Sequence, residues 1–400
     1  MVEGESQPRK DAQPAAQERS AAGLGGYSAR ILVAEEEALE AYRSACQGAV
    51  FAPPQSPLWA RAWLRGQGRN GLIALIQRRG APALALALEV VAIGPLRIAR
   101  FAGGRHANGN FPAVNPNAFA DGADQAAAVR ALIGALQSGR PEIDMLAFER
   151  QREAFQQCAN PLLAFPHSAS PNVSLAVDLS EGFDKLLRDK RRRRRRQLRQ
   201  MEAAGGYRRL TAASKEEVEE VLELLFAWKS VRLNRMGVHD IFGSDQVRAS
   251  FRRLFVSALE EPQPSFFLHA LEVGGKIRAI TCSSRTAESI ICEISTFCED
   301  ELAYASPGDF LFYENIAEAA AEGLAFYDFG VGDELYKRLW CDVETRHADV
   351  FIGLTPLGRA AAQANFAVAG VKRAIKQNPT LAKLARRARQ MSAKSQAQEN

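Results

Sequence analysis

The stretch that decides the fold is Leu324-Ala-Phe-Tyr-Asp328-Phe329-Gly330-Val-Gly332-Asp333-Glu334-Leu-Tyr336-Lys337-Arg338-Leu-Trp340. Its apolar first part, Leu324 to Phe329, has the composition of a strand and stops at Gly330 and Gly332. Glycines at a strand end let the backbone turn sharply and let a ligand approach it closely. A polar set follows at once: Asp333, Glu334, Tyr336, Lys337 and Arg338. These groups are expected at the carboxyl end of a buried strand, where open α/β sheets bind ligands. The triplet Asp328-Phe329-Gly330 also occurs in protein kinases, where it holds magnesium. No Gly-rich phosphate loop, Val-Ala-Ile-Lys strand or His-Arg-Asp loop precedes it here, which excludes that class.

Just upstream, the pattern predicts three strands, at Ser265 to Val273, Lys276 to Ser284 and Ser289 to Phe297, then a helix from Gly308 to Glu322. Gly274-Gly275 between the first two is a strong hairpin signal. The order strand-strand-strand-helix-strand is that of a GNAT core. Tyr304-Ala-Ser306-Pro307-Gly308-Asp309 lies just before the helix. It suits either a plain Ser-Pro helix start or a phosphate site made of free backbone N–H groups.

The set Asp328-Phe329-Gly330-x-Gly332-Asp333-Glu334-x-Tyr336-Lys337-x-x-Trp340 resembles the signature of the CelD/BcsL-like acyltransferases, a branch of the GNAT superfamily named for cellulose-biosynthesis acetyltransferases. It is also similar to the FemAB-type peptidyltransferases, which place a Lys in a comparable position. The resemblance covers about residues 45 to 355. It implies an α/β fold of two tandem GNAT-like lobes, with mixed, mostly antiparallel central sheets flanked by helices. The implied activity is transfer of an acyl group from acetyl-CoA or another acyl-CoA to an amine or hydroxyl, with a sugar or polysaccharide precursor as the expected acceptor. No metal is expected.

Within that resemblance, Asp333 or Glu334 would deprotonate the acceptor, Tyr336 would return a proton to the thiolate, and Lys337 would bind phosphate or the oxyanion. Ser306, Gly308 and Asp309 would hold the donor; the relatives share this shortened Ser-Pro-Gly form. The substrate side would include Arg105, His106 and Asn110 of a Gly/Asn loop that follows Phe101, together with Trp228, Asp328 and Trp340. Three of these carry a second reading: the Gly/Asn loop as a plain turn, Asp328 as a buried loop anchor and Trp228 as core packing. Two other classes stay open: FemAB-like aminoacyl transfer from tRNA to a cell-wall peptide, and a catalytically degenerate scaffold of a polysaccharide-synthesis complex.

Four predicted segments divide the chain: a tail over 1–26, a degenerate GNAT-like lobe over 27–171, the acyltransferase lobe over 172–355, and a basic helical tail over 356–400. Asn160 to Pro171, with three prolines, is the expected linker. Ser56 and Ser214 are the expected N-caps of two helices, with Pro57 at the first helical position of one and Glu217 completing a capping box in the other. Trp59 and Trp63, at i and i+4, share one helix face and suit a core.

Composition sets the remaining bounds. With 400 residues and 47% hydrophobic content, the chain is large enough for two cores. The longest apolar run, Ala81 to Leu96, is interrupted by Pro82, Glu89, Gly94 and Pro95 and is too short to span a bilayer. The first residues lack an apolar signal-like core, so the expected compartment is the cytoplasm. Six scattered cysteines form no Cys-x-x-Cys pair and point to neither zinc nor a disulfide framework.

The formal net charge is only +5, but it is uneven. Lys190 is followed by Arg191, Arg192, Arg193, Arg194, Arg195 and Arg196 on one predicted helix. Successive residues of a helix are about 100° apart, so no single face holds all six. The run suits either a solvated basic helix or one that meets anions, and in the second case the expected partners are the phosphates of the donor, an anionic membrane surface or tRNA.

Overall fold

The computed structural model describes residues 26–180 and 183–377. The predicted amino-terminal tail and the basic segment past Pro379 lie outside the described residues. The first part of the chain runs β1 (Tyr27–Val33), α1 (Glu36–Ala45), α2 (Pro57–Leu64), β2 (Gly71–Arg78), β3 (Ala81–Ile93), β4 (Leu96–Phe101), β5 (Ala113–Val114), α3 (Gly122–Gly139) and β6 (Met145–Arg152). A hairpin of β7 (Ala154–Phe155) and β8 (Cys158–Ala159) leads to β9 (His167–Asp178) and α4 (Phe183–Ala203). There follow β10 (Tyr207–Thr211), α5 (Lys215–Arg235), α6 (Asp245–Ala258), β11 (Phe266–Val273), β12 (Lys276–Arg285), β13 (Ser289–Phe297) and α7 (Pro307–Ala321). The last elements are β14 (Phe326–Val331), α8 (Leu335–Arg338), β15 (Val343–Gly353) and α9 (Pro356–Gln377).

Local signals set several of these boundaries. The Ser56 hydroxyl accepts from the Trp59 N–H at 3.1 Å to open α2, and the Ser214 hydroxyl accepts from the Glu217 N–H at 3.2 Å to open α5. The predicted linker holds a 3₁₀ turn at Pro161–Ala164 and the start of β9. Pro171 fits inside β9 because the β9–β15 register shifts opposite it, so no ladder hydrogen bond is asked of its nitrogen.

The same order occurs twice. One strand, two helices, three strands, a helix and a strand describe β1-α1-α2-β2-β3-β4-α3-β6, and again β10-α5-α6-β11-β12-β13-α7-β14. In each copy the four strands of the meander are antiparallel, and the strand after the helix is parallel to the last of them, β6 to β4 and β14 to β13. All of these strands lie in one mostly antiparallel sheet, in the order β1-β2-β3-β4-β6-β15-β9-β14-β13-β12-β11-β10, with β5 on β3.

The two halves exchange strands at the centre. β9, which follows the first copy, pairs with β14 of the second; β15, which follows the second, pairs with β6 of the first; and β9 and β15 pair with each other. Helices flank the sheet. Trp59 and Trp63 of α2 pack with Phe251 of α6 and join the aliphatic faces of strands from both halves in one buried cluster.

Candidate active site

β13 and β14 are paired only over Ser289–Ile291 and Phe326–Asp328 and then diverge. Each strand departs from regular geometry where the gap opens. In β13 the register against β12 slips by one residue, so that Cys282 faces Ile294, Ser283 faces Cys292, and Glu293 is the extra residue of a bulge. In β14, Gly330 adopts φ +68°; a Cβ there would lie 3.0 Å from the Asn108 amide nitrogen and 3.1 Å from the Cys292 carbonyl oxygen. Instead of ending at Phe329 as the sequence predicts, the strand therefore continues through this kink to Val331. In the first half, Phe101 and Phe148 follow the corresponding β4–β6 pairing and pack together in the core, with ring centroids 5.0 Å apart.

Two cavities open beside the gap. The smaller, of about 230 Å³, is lined by Arg105, His106 and Asn108 from the first half and by Glu293, Phe329 and Lys337 among others from the second. Glu293 is its main titratable group. Its Oε1 accepts from the Ser284 hydroxyl at 2.6 Å, while Oε2 is buried with no hydrogen-bond partner among the described residues. Burial pushes its pKa up to about 7, the neighbouring Asp328 adds to the rise, and the Ser284 hydrogen bond and Arg152 oppose it. Asn108 donates to the Glu293 carbonyl at 2.9 Å, which ties the first-half loop to the bulge. His106 stacks on Trp63 with centroids 5.2 Å apart, and burial lowers its pKa to about 4, so it is neutral at physiological pH.

The larger cavity, of about 560 Å³, reaches the start of α7 and is lined there by Ser306, Gly308 and Asp309. Ser306, the N-cap, has φ 55° and makes no side-chain cap hydrogen bond, which leaves the first-turn N–H groups of a 15-residue helix facing this end. Asp309 is compensated by Arg193, 3.1 Å away, and accepts from the Gln197 amide and the Trp340 indole. The rim is apolar, with Met236, Phe297 and Leu339 exposed. The two cavities share Lys229, Leu233, Ser295, Glu334 and Tyr336 as lining residues, so they meet.

The residues singled out from sequence fall into two groups. Glu334, Tyr336 and Lys337 come together at the cavities, as do Ser306, Gly308, Asp309, Arg105 and His106. Asp333 turns outward to Arg338, at 2.6 Å, and lines neither cavity. Lys337 is buried and engaged: its ammonium donates to the Val331 and Gly330 carbonyls at 3.1 and 3.4 Å and pairs with Glu334 at 3.0 Å, so it secures the kinked strand end. Tyr336 stacks on Phe312 at 5.7 Å, and burial raises its pKa.

Asp328 is the loop anchor of the two readings, held by Arg152 at 2.6 Å and accepting from the Gly330 N–H at 2.7 Å. Trp340 packs in the core, with Lys190 over its ring at 4.0 Å. Trp228 packs against the large core cluster, and it is its neighbour Lys229 that reaches the cavities. Asn110 donates to the Glu149 carbonyl and sits in the first half, while Asn108 of the same loop takes the place beside the site. Glu293 carries no motif. The only trace of Glu293 in the sequence is an acid between Cys292 and Ile294 of an otherwise apolar strand.

Residues 188–338 match the family model of the acetyltransferase (GNAT) domain. The match begins in the arginine helix and ends within α8, and so takes in both strands of the gap. No curated protein matches the chain. Among solved structures, FemX is similar over 81% of this chain and 98% of its own, with 11% identity and a TM-score of 0.56. The C-terminal domain of a protein described as a lysylphosphatidylglycerol synthetase, from Agrobacterium fabrum, is similar over 82% of this chain and 94% of its own, with 12% identity and a TM-score of 0.51. These are likenesses of fold. They extend beyond the GNAT match into the first half of the sheet.

Proposed function

We propose that the protein transfers an acyl group from an acyl-CoA thioester to an amine or hydroxyl. The observation that carries this reading is the pair of joined cavities at the β13–β14 gap, one ending at the α7 helix start and the other holding a carboxylate with a free oxygen. The first-turn N–H groups of α7, with Arg193 beside them, suit the diphosphate of the donor. Glu293, with its pKa near neutrality, suits removal of a proton from the acceptor, an effect of about 10² to 10⁴ in rate. Glu293 takes the role expected from the motif for Asp333 or Glu334. A sugar or polysaccharide precursor remains the acceptor class we favour, because the smaller cavity offers several hydrogen-bonding groups, among them Asn108, Arg105 and Glu334.

Calorimetry with acetyl-CoA tests the donor, with micromolar binding expected. Thiol release across a panel of amino sugars and sugar alcohols tests the acceptor. A second reading, aminoacyl transfer from tRNA, is favoured by one observation. Arg188, Arg191, Arg192, Arg195, Arg196 and Arg199 are all exposed on one face of α4 and make no ion pair among the described residues. The same face suits an anionic membrane surface. Binding of tRNA without binding of acetyl-CoA would select the tRNA reading, and binding of neither would leave a scaffold.

A further inference from the structure

We propose that Lys229 is the acid of the transfer, giving a proton to the sulfur that leaves when the acyl carbon is attacked. This rests on the acyl-CoA reading above and assigns it a residue outside the Asp328–Trp340 segment. Lys229 projects from α5 to the junction of the two cavities and lines both. A thioester held in the larger cavity and attacked from the smaller one would react at that junction. Lys229 makes no hydrogen bond or ion pair among the described residues, whereas the ammonium of Lys337 is taken up by two carbonyls and Glu334. Its side chain is half-buried, and an ammonium partly withdrawn from water without a partner gives up its proton more readily than one on the surface.

The electrostatics agree with this placement. Burial lowers the Lys229 pKa to about 8, and Arg232 on the same helix adds repulsion. Cys292 on β13, Cys282 on β12 and Glu334 before α8 act in the opposite direction, and Tyr336 on α8 lines the same junction. An ammonium of this acidity is close to an ordinary thiol, at about 8.5, so the proton moves without a large uphill step. Tyr336, which has this task in the sequence reading, is the poorer donor, because burial raises its pKa further above that of a thiol.

The step balances without an oxidant or a further reactant. The acceptor N–H or O–H yields its proton to Glu293 as the new bond to the acyl carbon forms. The carbon–sulfur bond breaks with its electron pair on sulfur, and sulfur takes the proton of Lys229. Glu293 and Lys229 then return to their starting states by proton exchange with water.

Reductive methylation of the full chain with ¹³C-formaldehyde makes the lysines visible by NMR, and Lys229→Arg identifies the Lys229 signal by its loss. In the free protein that signal should titrate below those of the surface lysines. CoA, which carries the thiol, should shift its titration, and desulfo-CoA should shift it less. Calorimetry of the same samples reports binding independently. Bound CoA that leaves the Lys229 titration unmoved, or that moves it no more than desulfo-CoA does, overturns the assignment of Lys229 and leaves the donor reading intact. Absence of heat with CoA removes the donor reading, and the assignment goes with it.

Discussion

Folding favours the protonated form of Glu293 and disfavours its carboxylate. Its pKa is about 7 in the folded protein, against an ordinary carboxylate value near 4.3. Below about pH 4 it is protonated folded or unfolded and has no effect on stability. As pH rises from about 4 to 7 the unfolded chain gains from ionisation and the folded chain does not, so stability falls by about 2 kcal/mol over that range, once the partial exposure of the side chain is allowed for, and is level above it. Glu293→Gln should therefore raise the urea midpoint at pH 8 and leave it unchanged at pH 4. The same variant should lose about 10² to 10⁴ in kcat and lose the rise of activity through pH 7. A variant less stable at pH 8, or one that keeps its activity, would show that Glu293 is a structural group. Strand alternation makes Glu293 an ordinary polar residue beside Ile291 and Ser295. Only the one-residue bulge against β12, which depends on pairing with another strand, turns it into the cavity. Asp333 was over-read for the converse reason: adjacency to Glu334 in sequence says nothing of direction once α8 starts to turn.

At the scale of the element, α4 shows how a run of one residue type is sorted by what it packs against. Six consecutive arginines are identical in sequence, so the run cannot say which of them face inward. α7 decides: Arg194 meets Glu314 and lies over the Phe310 ring at 3.3 Å, and Arg193 meets Asp309. The rest of the basic face stays exposed. Arg194→Ala should cost about 2 kcal/mol, between the value of an exposed pair and that of a fully buried one, because it removes a mostly buried charge pair and the stacking on Phe310. Arg195→Ala should stay within about 0.5 kcal/mol. Denaturant unfolding of the two variants side by side checks this, and equal losses would mean that the helix does not dock as described. The element order around α4 was readable because it rests on local signals: the Gly274-Gly275 hairpin, the Ser214 cap and the Ser306-Pro307 start of α7. α8 was not readable, since four residues carry no period.

Over the whole molecule, the two copies of the strand-helix pattern are joined by more than a connecting segment. Each half of the sheet ends on a strand that follows the other half in sequence, β15 beside β6 and β9 beside β14. Arg152 of β6 and Asp328 of β14, 176 residues apart, form a buried pair across the middle. Sequence pattern identifies β9 and β15 as strands but not their partners, because a half-buried strand carries the same alternation whatever lies next to it. The start of β9 lies within the predicted linker, so the exchange is not legible in the sequence. Its consequence is thermodynamic. Halves joined only by a linker would unfold independently, as multidomain chains commonly do. Here, melting either half strips the hydrogen bonds from one edge of a strand the other half needs, and leaves Arg152 or Asp328 buried without its partner. Scanning calorimetry should show one transition for the full chain, and Arg152→Leu should lower its midpoint without splitting it. Two resolved transitions in the unsubstituted protein would mean that the exchanged strands do not couple the halves, and the loop that carries Asn108 to Glu293 would then be a contact between independent lobes.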